Sequence, residues 1–454
     1  MSDQQVDVVV IGMGPGGEDV AGRLAEAGLS VVGIDSGLVG GECPYWGCIP
    51  SKMMIRAANL LAEARRIPGV AGASAVTPDW GPLATRIRDE ATADWDDAAA
   101  VQRFEGKGGR FVRGRGRIVA PGRVEVGDEV FAAGLAIVLA SGTTPSVPPI
   151  DGLADTPHWT NHEAIEATEV PARLVVLGAG AVGAELAQVF ARFGSDVTVV
   201  EAADRLLPAE EPEAGDLLAE AFAAEGIITV TGVGAERVSH DDDGFVVTLA
   251  DGTEVRADRL LVATGRRADP SAVGAEVVGV AADSRSVPVD EHLRVADGVW
   301  AVGDITGKGP FTHVAMYQSA IAVADILGEP HAPADYKALP RVTFTDPEIG
   351  SVGRSEADAR DAGLTVAVGS TPVPSTARGW IHGPGNDGFI KLVADADRGV
   401  LVGATSAGPV GGEVLGLLVL AVHAEVPLAT LRTMIYAYPT FHRGVEDALR
   451  DLEA

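Results

Sequence analysis

The chain has 454 residues, of which 46% are hydrophobic and 22% charged, so it can fill several cores and is not a disordered polypeptide. Its 64 acidic and 35 basic residues give a formal net charge of −29, which argues against binding to nucleic acids or anionic membranes. No stretch approaches the roughly 20 apolar residues of a membrane-spanning helix, and the first residues lack the features of a signal peptide. We therefore expect a cytoplasmic protein.

The N-terminal segment has the pattern of a dinucleotide-binding unit. The apolar run Val6–Ile11 predicts a buried parallel strand, and the strand Ser30–Ile34, which ends at Asp35, follows a helical stretch. The turn between the first strand and the helix supplies the glycines of a GxGxxG fingerprint, Gly12, Gly14 and Gly17. Such a turn brings the backbone and a helix N-terminus close to a pyrophosphate, and the acid accepts hydrogen bonds from a ribose.

The same pattern occurs a second time. A strand at Leu174–Leu177 precedes another glycine-rich turn and helix, and the following strand ends at Glu201. The second set of glycines is Gly178, Gly180 and Gly183. In both units the acid lies 23 positions after the first glycine, from Gly12 to Asp35 and from Gly178 to Glu201. Because the spacing is the same in both, we expect two bound dinucleotides rather than two unrelated turns.

Further strand ends extend this organisation. The strands Leu135–Ala140 and Leu260–Ala263 run into turns at Gly142 and Gly265, and a third strand ends at Asp304. From about residue 339, strand-like runs precede helical ones, which is typical of an α+β domain. The expected domains are residues 1–148, 149–269, 270–337 and 338–454, with prolines close to each boundary.

The only two cysteines, Cys43 and Cys48, follow Asp35 closely and therefore lie beside the first dinucleotide. We expect a helix to begin near Pro50, and its N-terminus would stabilise a thiolate. Two thiols at this spacing can form a short ring and accept two electrons, although two small buried side chains would give the same pattern. Zinc would need two further ligands, which nearby residues do not offer, so we expect no metal site.

The segment GGECPYWGCIPSK, residues 40–52, resembles the redox-active disulfide segment of the pyridine nucleotide–disulfide oxidoreductases. Together with both fingerprints, the strand end at Asp304 and the last domain, the resemblance covers the whole chain. It implies an α/β fold with two Rossmann-like dinucleotide-binding domains, one for FAD and one for NAD(P), plus a C-terminal α+β dimerisation domain. In this reading FAD is bound by residues 1–148 and 270–337, NAD(P) by residues 149–269, and residues 338–454 form a homodimer.

The resemblance also implies roles for individual residues. The positions that match FAD contacts are Gly12, Gly14, Gly17, Asp35, Lys52, Gly142, Asp304, His313 and Ala315. Those that match NAD(P) contacts are Gly178, Gly180, Gly183, Glu201 and Gly265. Cys48 matches the flavin-side sulfur and Cys43 the sulfur that meets the substrate. Lys52 matches the lysine near the flavin, and Glu185 its ion-pair partner.

The residue at the end of the second acid-tipped strand bears on the choice between NADH and NADPH. Glu201 would repel a 2′-phosphate, so NADH is favoured and NADPH is less expected.

The family's C-terminal motif, His-x-His-Pro-Thr-x-x-Glu, here has Tyr438 at the base position and Arg443 at the Glu position. An ordinary tyrosine has a pKa of about 10 and does not cycle a proton near neutral pH as histidine does. His442 would replace the missing base if it lay one helical turn beyond Tyr438.

The leading hypothesis is an FAD-dependent oxidoreductase that transfers electrons from NAD(P)H to the Cys43–Cys48 disulfide and then to a small disulfide or other electrophilic acceptor. The first alternative is a diaphorase or quinone reductase, in which the acceptor takes electrons directly from the flavin. The second alternative is a flavoprotein that senses redox state without significant turnover.

Overall fold

The computed structural model describes residues 3–452. The strands, in chain order, are β1 (Gln4–Ile11), β2 (Val31–Asp35), β3 (Arg110–Arg113), β4 (Arg117–Ala120), β5 (Arg123–Val126), β6 (Glu129–Leu139), β7 (Thr144–Pro145), β8 (Arg173–Leu177), β9 (Asp196–Glu201), β10 (Ile228–Thr231), β11 (Ala235–Asp241), β12 (Gly244–Leu249), β13 (Glu254–Ala257), β14 (Arg259–Val262), β15 (Arg266–Arg267), β16 (Arg294–Ala296), β17 (Val299–Ala301), β18 (Pro340–Thr343), β19 (Glu348–Gly353), β20 (Val366–Pro372), β21 (Phe389–Asp395) and β22 (Val400–Gly408).

The α-helices, in chain order, are α1 (Pro15–Glu26), α2 (Glu42–Tyr45), α3 (Cys48–Arg66), α4 (Gly81–Arg86), α5 (Ala98–Gly106), α6 (Asn161–Glu166), α7 (Ala181–Arg192), α8 (Pro212–Ala224), α9 (Thr312–Leu327), α10 (Glu356–Asp361), α11 (Ala377–His382), α12 (Gly411–His423), α13 (Leu428–Thr433) and α14 (Gly444–Asp451). Within residues 3–452, none of these helices combines the length and the apolar character that crossing a bilayer requires.

The chain divides into two compact units. The first holds the residues up to Ser51 together with Thr85–Ser146 and Arg266–Asp335. The second holds Lys52–Ala84, Val147–Gly265 and the chain from Tyr336 onward. The division into four sequence domains is a different partition and stays a prediction.

The first unit is built on a sheet with the strand order β16-β17-β6-β1-β2-β3. Strand β1 pairs in parallel with both β2 and β6, which places it in the middle of the sheet. Its residues Val8, Val9 and Val10 are fully buried, because α1 and α9 cover one face and the other is covered by a second apolar cluster. The continuous apolar run seen in the sequence is therefore a strand buried on both faces, as expected for a parallel sheet.

The second unit contains three sheets. A parallel sheet has the order β10-β9-β8-β14, and a three-stranded antiparallel sheet, β11-β12-β13, shares a core with it. A five-stranded antiparallel sheet has the order β18-β19-β22-β21-β20 and packs against α12 and α14. The expected α/β fold class, with two parallel-stranded sheets and a C-terminal α+β part, is confirmed.

Three local expectations need correction. Helix α3 begins at Cys48 rather than near Pro50, so the proline occupies its third position, where no backbone donor is lost. Strand β6 begins at Glu129, because residues 129–132 pair with the antiparallel strand β5, and its parallel pairing with β1 already begins at Phe131. The segment around Tyr438 is not helical, and His442 lies in a short 3-10 turn, so these two residues do not share a helix face.

Candidate active site

The turn after β1 is formed by backbone that only glycine fits. Gly12 has a φ of 100°, and a Cβ atom there would collide with the carbonyl oxygen of Ala140. Asp35, at the end of β2, accepts hydrogen bonds from the backbone N–H groups of Met13 at 2.6 Å and Gly37 at 2.7 Å. Its carboxylate therefore fixes the turn to the neighbouring strand and stays at the tip of the sheet.

The turn after β8 repeats this geometry. Gly178 has a φ of 99°, and a Cβ atom there would lie 2.5 Å from the carbonyl oxygen of Ala263. Glu201, at the end of β9, accepts hydrogen bonds from Ala179 N–H at 2.7 Å and Ala203 N–H at 2.8 Å. The two acids predicted from equal spacing thus make equivalent contacts in equivalent turns.

The remaining fingerprint glycines lie where the helices begin. Gly14 and Gly180 are the N-terminal caps of α1 and α7, and no side chain caps either helix among the described residues. Gly17 and Gly183 are buried in the first turns of the same two helices. Gly142 and Gly265 lie in the turns that follow β6 and β14.

The cysteine segment places two thiols together at the start of α3. Cys43 lies in the short helix α2 and is partly buried, whereas Cys48 is the first residue of α3 and is exposed. The structure contains the pair as thiols, and a hydrogen bond joins the two side chains. Thr312 Oγ1 lies 3.6 Å from Cys48 Sγ. The N-terminus of α3 favours negative charge at Cys48.

The two thiols are electrostatically unequal. The hydrogen bond with Cys48 and, to a smaller extent, burial raise the pKa of Cys43 well above the ordinary value of a thiol, and the contact with Thr312 offsets only part of this. A negative charge on Cys48 raises the pKa of Cys43 further. The Cys43 thiol therefore stays protonated to a higher pH than an ordinary thiol.

Lys52 lies one turn after Cys48 on α3 and forms an ion pair with Glu185 of α7. The distance between Lys52 Nζ and Glu185 Oε2 is 2.7 Å, and only 6% of the Glu185 side chain is exposed. The backbone N–H of Phe344 donates to the other oxygen of Glu185 at 2.8 Å. Lys52 also lies over the ring of Phe344, 4.6 Å from its centroid.

Asp304 follows β17 and has a partly buried carboxylate that interacts with two residues from other turns. Thr143 Oγ1 donates to Asp304 Oδ2 at 2.8 Å, and Arg266 donates to Thr143 Oγ1 at 2.9 Å and to its carbonyl oxygen at 2.7 Å. Burial raises the pKa of Asp304, and the Thr143 hydrogen bond opposes that shift. The sequence singled out Asp304 but not Thr143 or Arg266, although both directly follow the glycines Gly142 and Gly265.

A cavity of about 340 Å³ lies beside the cysteine segment. Its lining includes Cys43, Tyr45, Arg103 and Thr312. The opposite wall contains Ala93, which begins a run of three non-glycine residues with φ between 50° and 58° that continues through Trp95. Non-glycine residues uncommonly adopt this backbone, and the sequence carried no signal for it.

His313 and Ala315 lie in the first turn of α9. The His313 ring stacks on Phe311 with a centroid separation of 5.1 Å, and Ala315 is buried. Because α9 also carries Thr312, these residues occupy the helix end that meets Cys48.

The C-terminal segment is organised around an arginine. Arg443 lies over the ring of Tyr438 at 5.5 Å, pairs with Glu446 at 2.9 Å and donates to the carbonyl oxygen of Tyr436 at 3.2 Å. The Tyr438 side chain is exposed, and His442 Nε2 lies 3.4 Å from Thr440 Oγ1. Within residues 3–452, His442 contacts Thr440 and the ring of Tyr436 and pairs with no carboxylate, so a His–Glu pair is not reproduced here.

Comparison with known sequences assigns the family. Residues 6–319 match the profile described as pyridine nucleotide-disulphide oxidoreductase, and residues 339–449 match the dimerisation domain of the same family. The chain belongs to the pyridine nucleotide-disulphide oxidoreductases. It is an FAD-dependent oxidoreductase that acts on sulfur groups and uses a pyridine nucleotide.

Several relatives of this oxidoreductase are similar to it along most of their length. A dihydrolipoyl dehydrogenase from Haloferax volcanii is 35% identical over 97% of this chain and 95% of its own. A mercuric reductase from Acidithiobacillus ferrooxidans is 33% identical over 98% of this chain and 82% of its own.

Solved structures give the same picture. The HOCl-induced flavoprotein disulfide reductase RclA from Escherichia coli has a TM-score of 0.85 and 26% identity, over 98% of this chain and 99% of its own. LpdA from Mycobacterium tuberculosis has a TM-score of 0.86 and 27% identity, over 99% of this chain and 100% of its own.

The residues of this oxidoreductase fit the FAD that its family requires. Helix α1 presents N-terminal backbone donors without a side-chain cap, which suits a pyrophosphate. Asp35 stands at the adjacent strand tip, where a ribose hydroxyl can donate to it, and Asp304 offers a partly buried acceptor beside Thr143. The contact between Cys48 and Thr312 brings the cysteine pair to the same end of α9 as His313.

Proposed function

We propose that the protein oxidises NADH and, with bound FAD, reduces the Cys43–Cys48 pair, which then reduces a small disulfide or another electrophilic acceptor. The observation that carries this proposal is the hydrogen-bonded pair of thiols at the start of α3, at the wall of a cavity. Two adjacent thiols can exchange two electrons by forming a disulfide.

In this proposal Gly12, Gly14, Gly17 and Asp35 hold the adenosine and pyrophosphate portion of FAD. Asp304, Gly142, His313 and Ala315 hold the remainder, and Lys52 lies near the reactive ring. Bound FAD would supply the two-electron exchange between the nicotinamide and the thiols. The protein's own part is to orient the groups and to keep Lys52 fixed through Glu185.

The nicotinamide cofactor is assigned to the second turn. Gly178, Gly180, Gly183 and Gly265 would line its path, and Glu201 would accept hydrogen bonds from the adenosine ribose. Because both oxygens of Glu201 already face backbone donors, the carboxylate is fixed in place and cannot turn away from a 2′-phosphate. This supports NADH over NADPH.

The sulfur chemistry with a disulfide acceptor would proceed in two displacements. The Cys43 thiolate attacks one sulfur of the acceptor, forms a mixed disulfide and releases the first thiolate. The Cys48 thiolate then attacks Cys43 Sγ, forms the Cys43–Cys48 disulfide and releases the second thiolate. The acceptor gains two electrons, the cysteine pair loses two, and each leaving thiolate takes a proton. Tyr438 and His442 are this chain's candidates for supplying that proton.

The cavity beside Cys43 supports a small acceptor. A volume of about 340 Å³ is at the lower end of the range for sites that enclose small molecules. Arg103, in its lining, is paired with Glu18, and Asp96 adds a second carboxylate to the wall. The family's dimerisation domain, residues 339–449, supports a homodimer as the working form.

Anaerobic titration with NADH tests the main proposal. The number of reactive thiols per chain is expected to rise from zero to two in oxidised protein that receives one equivalent, and a long-wavelength absorption is expected with it. The Cys48→Ser variant should lose this absorption while retaining its yellow cofactor. Persistence of the absorption in Cys48→Ser would refute the assignment of Cys48.

A second candidate is a diaphorase or quinone reductase in which the acceptor bypasses the thiols. The observation in its favour is the C-terminal segment, where Arg443 is tied to Glu446 and Tyr438 is exposed. This candidate predicts that Cys43→Ser keeps nearly all quinone reduction, whereas the main proposal predicts that it loses reduction of the physiological acceptor. Parallel assays of both proteins against disulfides and quinones separate the two.

A further inference from the structure

Two segments of the first unit are held together at the end of α9. Asp290 Oδ1 accepts hydrogen bonds from the backbone N–H groups of His292 at 2.8 Å and Arg294 at 2.9 Å, which closes a tight turn. The N–H of Ala334 donates to the carbonyl oxygen of Glu291 at 2.8 Å. The turn is therefore fixed against the chain that follows α9, and it brings His292 close to two residues of that region.

Three potential ligands meet at this junction. One side-chain atom each from His292, Asp325 and His331 lies within 4.8 Å of the other two. His331 Nε2 and Asp325 Oδ1 are 3.2 Å apart. A tetrahedral ion with bonds of about 2 Å holds its ligand atoms roughly 3.3 Å apart, so this pair already has the separation of two ligands.

The tautomer of His331 leaves a lone pair directed at a carboxylate. His331 Nδ1 lies 3.0 Å from the carbonyl oxygen of Ala332, which can only accept, so Nδ1 carries the proton. A neutral His331 then presents the Nε2 lone pair to Asp325 Oδ1. Two acceptors at that distance repel each other unless a cation, either a proton or a metal ion, lies between them. Hydrogen bonds from the second nitrogen to a carbonyl are typical of metal-binding histidines.

His292 provides an independent observation. Its Nδ1 atom is buried and has no hydrogen-bond partner among the described residues. A buried ring nitrogen without a partner is unfavourable, and a bound ion would satisfy it. About a third of the side chain is exposed, so the ring has room to turn toward His331, whose ring centroid is 5.1 Å away.

Asp325 is oriented by its own hydrogen bonds. Arg294 donates to Oδ2 at 2.6 Å and to Oδ1 at 2.7 Å, and Trp300 Nε1 donates to Oδ2 at 2.8 Å. These contacts hold the carboxylate in place and leave room for one more partner at Oδ1. Because the Arg294 charge offsets that of Asp325, binding would depend on the imidazoles, which disfavours Mg²⁺ and Ca²⁺.

We propose that His292, Asp325 and His331 bind one divalent transition-metal ion of the class that prefers imidazole ligands, with Zn²⁺ as its representative. The site shares no residue with the proposed redox site, so it does not depend on the identity of the acceptor. By joining the turn before β16 to the end of α9, the ion would stabilise this part of the first unit.

Zinc binding is measured by calorimetry and by metal analysis after dialysis, on untagged flavin-containing protein. Both cysteines are first replaced in a Cys43→Ser/Cys48→Ser parent, because a dithiol also binds zinc. The parent is expected to bind one Zn²⁺ per chain and to melt at a higher temperature with it. His292→Gln and His331→Gln should each weaken binding more than about tenfold.

His423→Gln, an exposed histidine on α12, is the matched control and should bind like the parent. Excess Mg²⁺ should not displace the zinc. If the parent binds no zinc, the cation between His331 and Asp325 is a proton and the proposal is wrong. It is equally wrong if both histidine variants bind like the parent, or if Mg²⁺ competes at similar concentration. If His331→Gln fails to fold, His292→Gln decides, since its ring is partly exposed.

Discussion

Lys52 and Glu185 form an ion pair of 2.7 Å in which the carboxylate is nearly inaccessible to solvent. Glu185 is held on its other side by the backbone N–H of Phe344, and Lys52 rests on the ring of the same residue. The ammonium group is thereby fixed one helical turn from Cys48. An unpaired lysine in this place would sample many rotamers, whereas Glu185 and Phe344 restrict this one.

Replacing Lys52 by glutamine should therefore impair the chemical step. We expect the rate of flavin reduction by NADH to fall about tenfold or more, with little change in the NADH concentration that half-saturates the rate. Stopped-flow absorbance measures both quantities. Lys107→Gln, which removes a solvent-exposed pair with Glu26, is the control and should be unchanged. Equal rates in wild type and Lys52→Gln would contradict this role.

The unequal thiols predict a pH dependence of alkylation. Because Cys48 raises the pKa of Cys43, the reactive thiolate of Cys43 forms only at higher pH, and its reaction with iodoacetamide should accelerate as pH rises. In Cys48→Ala the profile should move to lower pH. In Thr312→Val it should move to higher pH, since Thr312 lowers the pKa of Cys43. Superimposable profiles for all three proteins would contradict the proposed coupling.

Glu201 should control the choice between the two nicotinamide cofactors. Its carboxylate is fixed by Ala179 and Ala203, so a 2′-phosphate would meet its charge directly. In Glu201→Ala we expect the ratio of kcat/KM for NADH over that for NADPH to fall about tenfold, which corresponds to about 1.4 kcal/mol. Steady-state kinetics with one fixed acceptor measures it. Glu254→Ala, on an exposed strand of another sheet, should leave the ratio unchanged.

The sequence predicted those parts of the fold that depend on a local pattern of residues. Equal spacing of glycine and acid predicted two equivalent turns, and Asp35 and Glu201 make the same two backbone contacts. The cysteine motif predicted a helix beginning near Pro50, and α3 begins two residues earlier, at Cys48. The roles of these residues stay predictions. Thr143 and Arg266 were missed because the hydrogen bond from Thr143 to Asp304 joins residues 161 positions apart and the one from Arg266 to Thr143 joins residues 123 positions apart, which no local pattern records.

In the C-terminal segment, the sequence predicted which residues differ from the family motif but not how they contact one another. The sequence indicated that Tyr438 and Arg443 replace the usual His and Glu, and the helical relation to His442 was an assumption about backbone. In the structure, Arg443 instead contacts Tyr438 and Glu446. The contacts among His292, Asp325 and His331 were also invisible, because their positions share no regular spacing.

Lys391 on β21 should contribute strongly to stability. Only 5% of its side chain is exposed, and it lies 3.0 Å from Glu211, 2.7 Å from Glu213 and 3.0 Å from Glu356. Lys391→Met leaves the buried Glu211 without its cation, so we expect the free energy of unfolding to fall by roughly 3–5 kcal/mol. Urea denaturation measures the change, and Lys337→Met, at an exposed pair, should cost far less.

The stability lost in Lys391→Met should depend on pH, because the pKa values of Lys391 and Glu356 are shifted in the folded protein. Despite the cost of burial, the three carboxylates raise the pKa of Lys391, so its contribution is complete below pH 10.5 and is lost only as the pH rises through the higher folded value. Hydrogen bonds from Lys391 and Arg360 lower the pKa of Glu356 from 4.5, so its contribution is lost as the pH falls through that lowered value. The difference in the free energy of unfolding between wild type and Lys391→Met should thus be constant near neutral pH and become smaller in acid. A difference that stays constant down to pH 3 would contradict this expectation.

The dimerisation domain should be sensitive to charge at its exposed apolar side chains. The Ile435 side chain is 96% exposed beside the C-terminal motif, which is unusual for isoleucine unless another molecule covers it. Ile435→Glu should shift the protein toward monomer in sedimentation or light scattering. Ile228→Glu, on strand β10, is an equally apolar exposed control and should keep the wild-type mass. Unchanged mass in Ile435→Glu would place the interface elsewhere.

The lysine on β21 also restricts how this enzyme can be recombined with its relatives. Two of the carboxylates that neutralise it, Glu211 and Glu213, lie at the start of α8, far earlier in the chain than the third. A chimaera that takes its last domain from a relative without this lysine would leave Glu211 and Glu213 without their cation. Crossovers between homologues should therefore transplant α8 and β21 as one block, whatever acceptor the hybrid is meant to reduce.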